Sequence, residues 1–272
     1  MNDASDNHGD QEKSVSTYSV DIETLQQAAL AGDPQALFQL AINYEQGRGV
    51  AENQQEAFYC YHQAAELGHV TAQLNLGWAY SNGIGVPQDN DKAFYWYQKA
   101  ARQGHPTAQF DLGFCYINGL GVEKDEQQAI SWYTKAAEQG HAVAQLNLGW
   151  IYANSNSQRN WEQAVYWYTK AAEQGHNTAQ LNLGWCHLNG KGTPVNHAEA
   201  LKWYLKAADQ GNATAMFNVG NCYAHGYGIE ENDEEAEAWY QKAIAHGNKK
   251  AASALRHLHS KQEKNKESGS QA

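Results

Sequence analysis

The heptapeptide Ala-Gln-Leu-Asn-Leu-Gly-Trp occurs three times, at residues 72–78, 144–150 and 179–185, with the close variant Ala-Gln-Phe-Asp-Leu-Gly-Phe at 108–114. A second landmark keeps the same step. Gly32, Gly68, Gly104, Gly140, Gly175, Gly211 and Gly247 follow one another at 36 residues, with a single interval of 35. A step of this length marks a solenoid, in which small supersecondary units stack and each touches only its neighbours. It overrides the one or two ordinary domains that 272 residues would suggest, and sets one array from about residue 21 to 260. Such an array leaves a long concave face open, which suits binding better than a closed catalytic pocket.

Residues 71–105 serve as a reference unit. Ala72, Leu76, Gly77 and Tyr80 repeat at helical steps and predict a first helix, A, which Gly83-Ile84-Gly85 ends because glycine accepts the left-handed conformation of a helix C-cap. Asp89 or Asp91 is the candidate N-cap of a second helix, B, whose apolar stripe is Ala93, Trp96, Tyr97, Ala100 and Ala101. Each hairpin has one apolar stripe per helix and is underpacked until it stacks on the next. The expected fold class is therefore all-α, an α/α solenoid of about six helix-turn-helix repeats plus terminal capping half-repeats. The boundaries read as a disordered tail at 1–18, an N-terminal capping helix at 19–32, six repeats over 33–248, a C-terminal capping helix at 249–260, and a disordered tail at 261–272. The pairs Trp96-Tyr97, Trp132-Tyr133, Trp167-Tyr168, Trp203-Tyr204 and Trp239-Tyr240 are expected in the core. Lys99, Lys135, Lys170, Lys206 and Lys242 read as a solvated face near each helix C-terminus.

A formal net charge of -11 argues against nucleic acid, whose phosphates need a basic face, and favours a neutral or basic protein or peptide partner. No apolar run approaches the roughly 18 residues of a membrane span or the core of a signal peptide, so the expectation is a soluble, cytoplasmic protein without membrane insertion. Cys115, Cys186 and Cys222 share one repeat position and Cys60 sits on the other helix of its unit, so no repeat holds two. Free thiols in a reducing compartment are expected.

The spacing Ala-x3-Leu-Gly-x2-Tyr, then Gly-x-Gly-Val, then Ala-x2-Trp-Tyr-x-Lys-Ala-Ala-x2-Gly resembles the Sel-one-like repeat (SLR) family, a relative of the tetratricopeptide repeats, over residues 33 to about 260. Tyr80, Tyr116 and Tyr152 stand at the tyrosine position, and Gly47, Gly83, Gly119, Gly190 and Gly226 open the glycine pair. Ala41 replaces the helix A glycine, His187 the tyrosine and Cys60 the tryptophan, while residues 155–160 lack the glycine pair and are one residue short. The resemblance implies a right-handed α/α superhelix serving as an adaptor or scaffold in bacterial signalling, host interaction or eukaryotic protein quality control. It fixes no partner. Some secreted, cysteine-rich members have been described as β-lactamases, but their units carry paired cysteines that this chain lacks.

The resemblance also implies that helix A lines the concave surface, with the residue before its Leu-Gly pair projecting into the groove. That position reads Gln39, Asn75, Asp111, Asn147, Asn182 and Asn218. Two positions after the leucine stand Ile42, Trp78, Phe114, Trp150, Trp185 and Asn221, and one turn later Asn82, Asn118, Asn154 and Asn189. The candidate binding residues are thus Asn75, Trp78, Asn82, Asp111, Phe114, Asn118, Asn147, Trp150, Asn154, Asn182, Trp185, Asn189 and Asn218. An asparagine amide offers a donor and an acceptor, so it can pair with any peptide backbone. Layers about 10 Å apart would meet an extended strand, rising about 3.3 Å per residue, at every third residue. In the competing reading the amides bond between neighbouring helices and the tryptophans pack the inner wall.

His69, His105, His141 and His176 occupy one turn position per repeat and form a line, so no metal site is expected. The Gly-x-Gly segments follow helices instead of strands, which removes a nucleotide-loop reading, and no catalytic residues or cofactor are expected. The expected function is a non-enzymatic scaffold or adaptor holding an extended protein segment in the groove. The alternatives are a hydrolase of the β-lactamase-like type and a structural subunit using its convex face.

Overall fold

The computed structural model describes residues 22–156 and 159–269, with side chains through Glu263, and among the described residues every regular element is helical. Helix α1 spans 22–30. It is followed by α2 (Pro34–Gln46), α3 (Gln54–Glu66), α4 (Val70–Asn82), α5 (Asn90–Arg102), α6 (Pro106–Asn118), α7 (Glu126–Glu138), α8 (Ala142–Asn154), α9 (Trp161–Glu173), α10 (Asn177–Asn189), α11 (His197–Asp209), α12 (Ala213–His225), α13 (Asp233–Ala245) and α14 (Lys249–Gly269). Even-numbered helices from α2 to α12 are the A helices of the repeats and odd-numbered helices from α3 to α13 the B helices. The chain divides into two compact units, Met1–Gln139 and Gly140–Ala272, and within each the helices pack on their chain neighbours as an all-α repeat solenoid.

Each boundary has a local cause. The A helices α2, α4, α6, α10 and α12 end on Gly47, Gly83, Gly119, Gly190 and Gly226 in the left-handed region, where the cap N–H still reaches a carbonyl of the last turn. The B helices begin at Asn53, Asp89, Asp125, Asn160, Asn196 and Asn232, whose side chains accept from backbone N–H groups of the first turn. Of the two aspartates open from sequence, Asp89 is the cap of α5. The second glycine of the pair meets a stricter demand. A Cβ on Gly85 would lie 2.3 Å from the Gln54 carbonyl oxygen, and one on Gly192 2.1 Å from that of Trp161, so each loop backbone rests directly on the preceding B helix. Helix α8 lacks the glycine pair and leaves instead through Ser155 in an extended conformation; residues 157 and 158 of that loop lie outside the described residues.

The core repeats as well. Tyr97, Tyr133, Tyr168, Tyr204 and Tyr240 of the B helices are buried, each lying on the A-helix glycine of its own hairpin. A Cβ on Gly184 would stand 2.7 Å from the Tyr204 ring, so glycine is what lets ring and helix backbone meet. Trp96, Trp167 and Trp203 are buried beside them, while Trp132 and Trp239 are only partly covered. The following lysines do more than face solvent: the ammonium of Lys135 lies 3.9 Å from the centre of the Trp132 ring, and those of Lys206 and Lys242 at 4.3 and 4.1 Å from Trp203 and Trp239.

A buried polar link joins successive repeats. Gln73, Gln109 and Gln180 donate to the carbonyls of Ala65, Ala101 and Ala172 on the preceding B helix. Their amide oxygens, and that of Gln145, accept from Gln103, Gln139, Gln210 and Gln174 respectively, at 2.7 to 2.8 Å. The repeat sequence contains both columns of glutamines, but nothing in their spacing marks them as partners.

At the C-terminus the structure corrects one expectation. Helix α14 does not stop at 260 but continues to Gly269, over part of the segment read as a disordered tail. That segment is polar yet rich in lysine, glutamate and glutamine, which favour helix, and Lys261 is paired with Glu231 and 3.8 Å from Asp233. The expected N-terminal tail, 1–18, lies outside the described residues.

Candidate protein-binding site

The A helices carry all the residues proposed from sequence, in three rows on each unit. In the first unit the row before the Leu-Gly pair holds Asn75 and Asp111, in the second Asn147, Asn182 and Asn218, and all five are half-buried. The aromatic row beside them is not wall packing. Trp78 is 48%, Phe114 45%, Trp150 58% and Trp185 41% exposed, although the Leu-Gly pairs they follow are buried. Large apolar side chains left open at the same position of successive repeats are an unusual surface for a monomer.

The amides divide differently from expectation. Asn82, Asn118, Asn154 and Asn189 each donate to a carbonyl of their own helix, those of Trp78, Phe114, Trp150 and Trp185, at 2.9 Å. They finish the last turn of the A helix with one N–H each, which leaves the second N–H and the amide oxygen for a ligand. In the inner row, Asn75 and Asn182 lie near the hydroxyls of Tyr61 and Tyr168 of the preceding repeat.

Three residues join the surface that the sequence reading left out. Trp161, first residue of α9, lies 5.6 Å from the Trp185 ring and widens the aromatic patch of the second unit. In the first unit Tyr61 donates a 2.8 Å hydrogen bond to Glu45. These two line a cleft of about 290 Å³ with Phe58, Asn75, Trp78 and Asp111, drawn from α2, α3, α4 and α6. Burial pushes the Asp111 carboxyl up to about 7, and it has no hydrogen bond or ion pair among the described residues. Glu45 and Trp161 had one sequence signal: each departs from its repeat position. Ser81, Ile117, Ala153, Leu188 and Ala224 stand where Glu45 does.

The nucleophile and ligand candidates are placed for structure. Cys60, Cys115, Cys186 and Cys222 are buried free thiols, the last three pushed up to about 12 by desolvation. His69, His105, His141 and His176 are N-cap residues of A helices, His69 accepting from the Ala72 N–H at 3.1 Å. Among the described residues no three side chains of metal-ligating type come together, and no helix is long and apolar enough to cross a membrane.

A family model for the Sel1 repeat matches six times, at residues 34–69, 70–105, 106–141, 142–176, 177–212 and 213–248. Comparison with curated proteins returns no match. Among solved structures, a Sel1 repeat protein from Oxalobacter formigenes is similar at 34% identity and a TM-score of 0.71, over 85% of this chain and 93% of that one. A protective antigen present in uropathogenic Escherichia coli strains, displaying an SLR fold, is 31% identical with a TM-score of 0.61 over 90% of this chain, which spans 60% of the antigen. Repeats of this kind typically form protein-interaction scaffolds and are generally not enzymes. Six consecutive matches on a stack of helical hairpins make this chain a member of the Sel1 repeat family.

Proposed function

We propose that the chain is a scaffold that holds an extended segment of a protein partner along its A helices, with the open aromatic row as the main source of affinity. The exposure of Trp78, Phe114, Trp150 and Trp185 carries this reading, because tryptophan is among the residue types enriched at binding hot spots, where truncation costs about 2 kcal/mol or more. The amides contribute less than independent rungs would, since several spend part of their hydrogen-bonding capacity within the fold. Asn147 and Asn218, beside the aromatics of the second unit, are the rungs assigned to a partner backbone. The net charge of -11 favours a neutral or basic partner, and the four buried free thiols suit a reducing compartment such as the cytoplasm.

The test is affinity capture from native cell extract with the wild-type chain and with a Trp150→Ala, Asn147→Ala, Asn182→Ala variant shown to be folded by its helical circular dichroism. A partner retained by the wild type and lost by the variant is the expected outcome. Identical capture by both would sink the proposal and move attention to the B-helix face.

A further inference from the structure

The repeats are so alike that a departure from their pattern is informative, and two carboxylates depart from it at one place. Asp111 is the only charged residue in a column that otherwise reads Gln39, Asn75, Asn147, Asn182 and Asn218. Glu45 is the only charged residue in a column of Ser81, Ile117, Ala153, Leu188 and Ala224. They belong to the first and third repeats, yet α2, α4 and α6 bring both to the same cleft, whose wall is the half-open indole of Trp78. We propose that this cleft is a receptor for an arginine side chain of the partner segment, the guanidinium lying on Trp78 and directed to the carboxylates of Glu45 and Asp111.

The shape and the chemistry both select this occupant. At about 290 Å³ the cleft falls just below the roughly 300 to 1,000 Å³ of pockets that enclose whole drug-sized ligands, and it suits a single long side chain. Its lining of Ala57, Phe58, Leu74 and Ile84 matches the apolar stem of arginine. A planar guanidinium stacks on an indole face and offers several N–H donors at once, whereas an ammonium is a more strongly hydrated point charge. The Tyr61 hydroxyl holds Glu45 in place by donating to its carboxylate. Asp111 is a half-buried carboxyl with no hydrogen bond or ion pair among the described residues, and a cation entering the cleft beside it supplies one. An acidic or purely apolar segment would leave both carboxyl groups uncompensated.

This inference rests on the scaffold reading only in taking its ligand to be a polypeptide. It is tested with the full chain and two capped tripeptides, acetyl-Ala-Arg-Ala-amide and acetyl-Ala-Leu-Ala-amide, titrated while the indole N–H signal of Trp78 is followed by NMR, assigned through Trp78→Phe. The arginine peptide is expected to move that signal saturably and to leave the Trp150 indole unmoved. Glu45→Gln with Asp111→Asn, near-isosteric changes checked by the rest of the amide spectrum, should weaken binding about tenfold or more. The single variant Glu45→Gln should weaken it severalfold, and serves if the double variant does not fold. No response to the arginine peptide, an equal response to the leucine peptide, or unchanged affinity in the neutralised variants would each overturn the proposal. Partner capture lost with the Trp150 variant but no arginine response at Trp78 would leave the scaffold reading intact and remove this one.

Discussion

The glutamine link between repeats makes a prediction that runs against the intuition that the more buried partner matters more. Gln180 is buried, donating to the Ala172 carbonyl at 3.1 Å and accepting from the exposed Gln210 at 2.8 Å. In Gln210→Leu the donor is gone, and a side chain of similar bulk keeps water from the Gln180 oxygen. An orphaned buried acceptor costs about 1–3 kcal/mol. In Gln180→Leu combined with Gln210→Leu no orphan remains. The Ala172 carbonyl still accepts the Gly175 N–H at 3.0 Å, and two apolar groups replace two polar ones, a change that is close to neutral. The chain already contains this arrangement: the equivalent pair in the first repeat is Leu37 and Leu67. The double variant is therefore expected to be more stable than the Gln210→Leu single variant by about 1–2 kcal/mol, a positive coupling that a double-mutant cycle isolates. In urea unfolding followed by far-ultraviolet circular dichroism this corresponds to a midpoint difference of about 1 M, with slopes of about 1–3 kcal/mol/M. A double variant as unstable as the sum of its single variants would refute the reasoning and show that the link adds nothing beyond side-chain packing.

Gly184→Ala would place a methyl 2.7 Å from the Tyr204 ring and 3.1 Å from the Ala200 carbonyl oxygen, so urea unfolding should show a loss of about 1–3 kcal/mol as the ring is displaced. Cys115, Cys186 and Cys222, buried and pushed up to about 12, should be inert to a thiol reagent in the native state and react together once the chain is unfolded; rapid labelling of the folded protein would contradict their placement. The Asp111 carboxyl has its ordinary value of 3.8 raised to about 7 in the fold, so its contribution to stability is complete below 3.8 and is lost as pH rises through about 7. Asp111→Asn should accordingly become more stable than the wild type as pH is raised through that window, and an advantage confined to acidic pH would reverse the sign of the argument. Carbon-detected NMR of the Asp111 carboxyl should place its midpoint near 7.

Most of the architecture was legible because repetition amplifies local signals. One Gly-x-Gly is ambiguous, but five at the same phase, each after an apolar stripe ending in Tyr80 or its equivalents, define a helix stop. The burial of the tyrosine column was legible in the same way, but its seat on the A-helix glycine was not, because the two columns lie on different helices. The far end of α14 was not, since a lysine- and glutamate-rich segment has the composition of both a disordered tail and an exposed helix. For the aromatic row, helical spacing could not separate wall from surface; that depends on which side of the A helix the neighbouring hairpins cover, and they cover the Leu76 side, leaving Trp78 open. The amides were half-read, because an asparagine near a helix end can bond a backbone four residues back as readily as a ligand. The pairing of Glu45 with Asp111 was out of reach, since residues two repeats apart share a cleft only through the stacking of α2, α4 and α6.

That stacking has an evolutionary consequence. Every repeat presents the same few columns, and within each unit the hairpins pack on the ones beside them, so a surface can be rewritten one letter at a time without renegotiating the rest of the fold. In the second unit the positions equivalent to Glu45, Tyr61, Trp78 and Asp111 are Ala153, Tyr168, Trp185 and Asn218. The aromatic half of a second cleft is thus already in place there, and two substitutions, Ala153→Glu and Asn218→Asp, would supply the acidic half. A solenoid of this kind behaves as a strip of interchangeable sockets, in which the identity and spacing of charges along the columns form an address, and new addresses are reached by point changes instead of new folds.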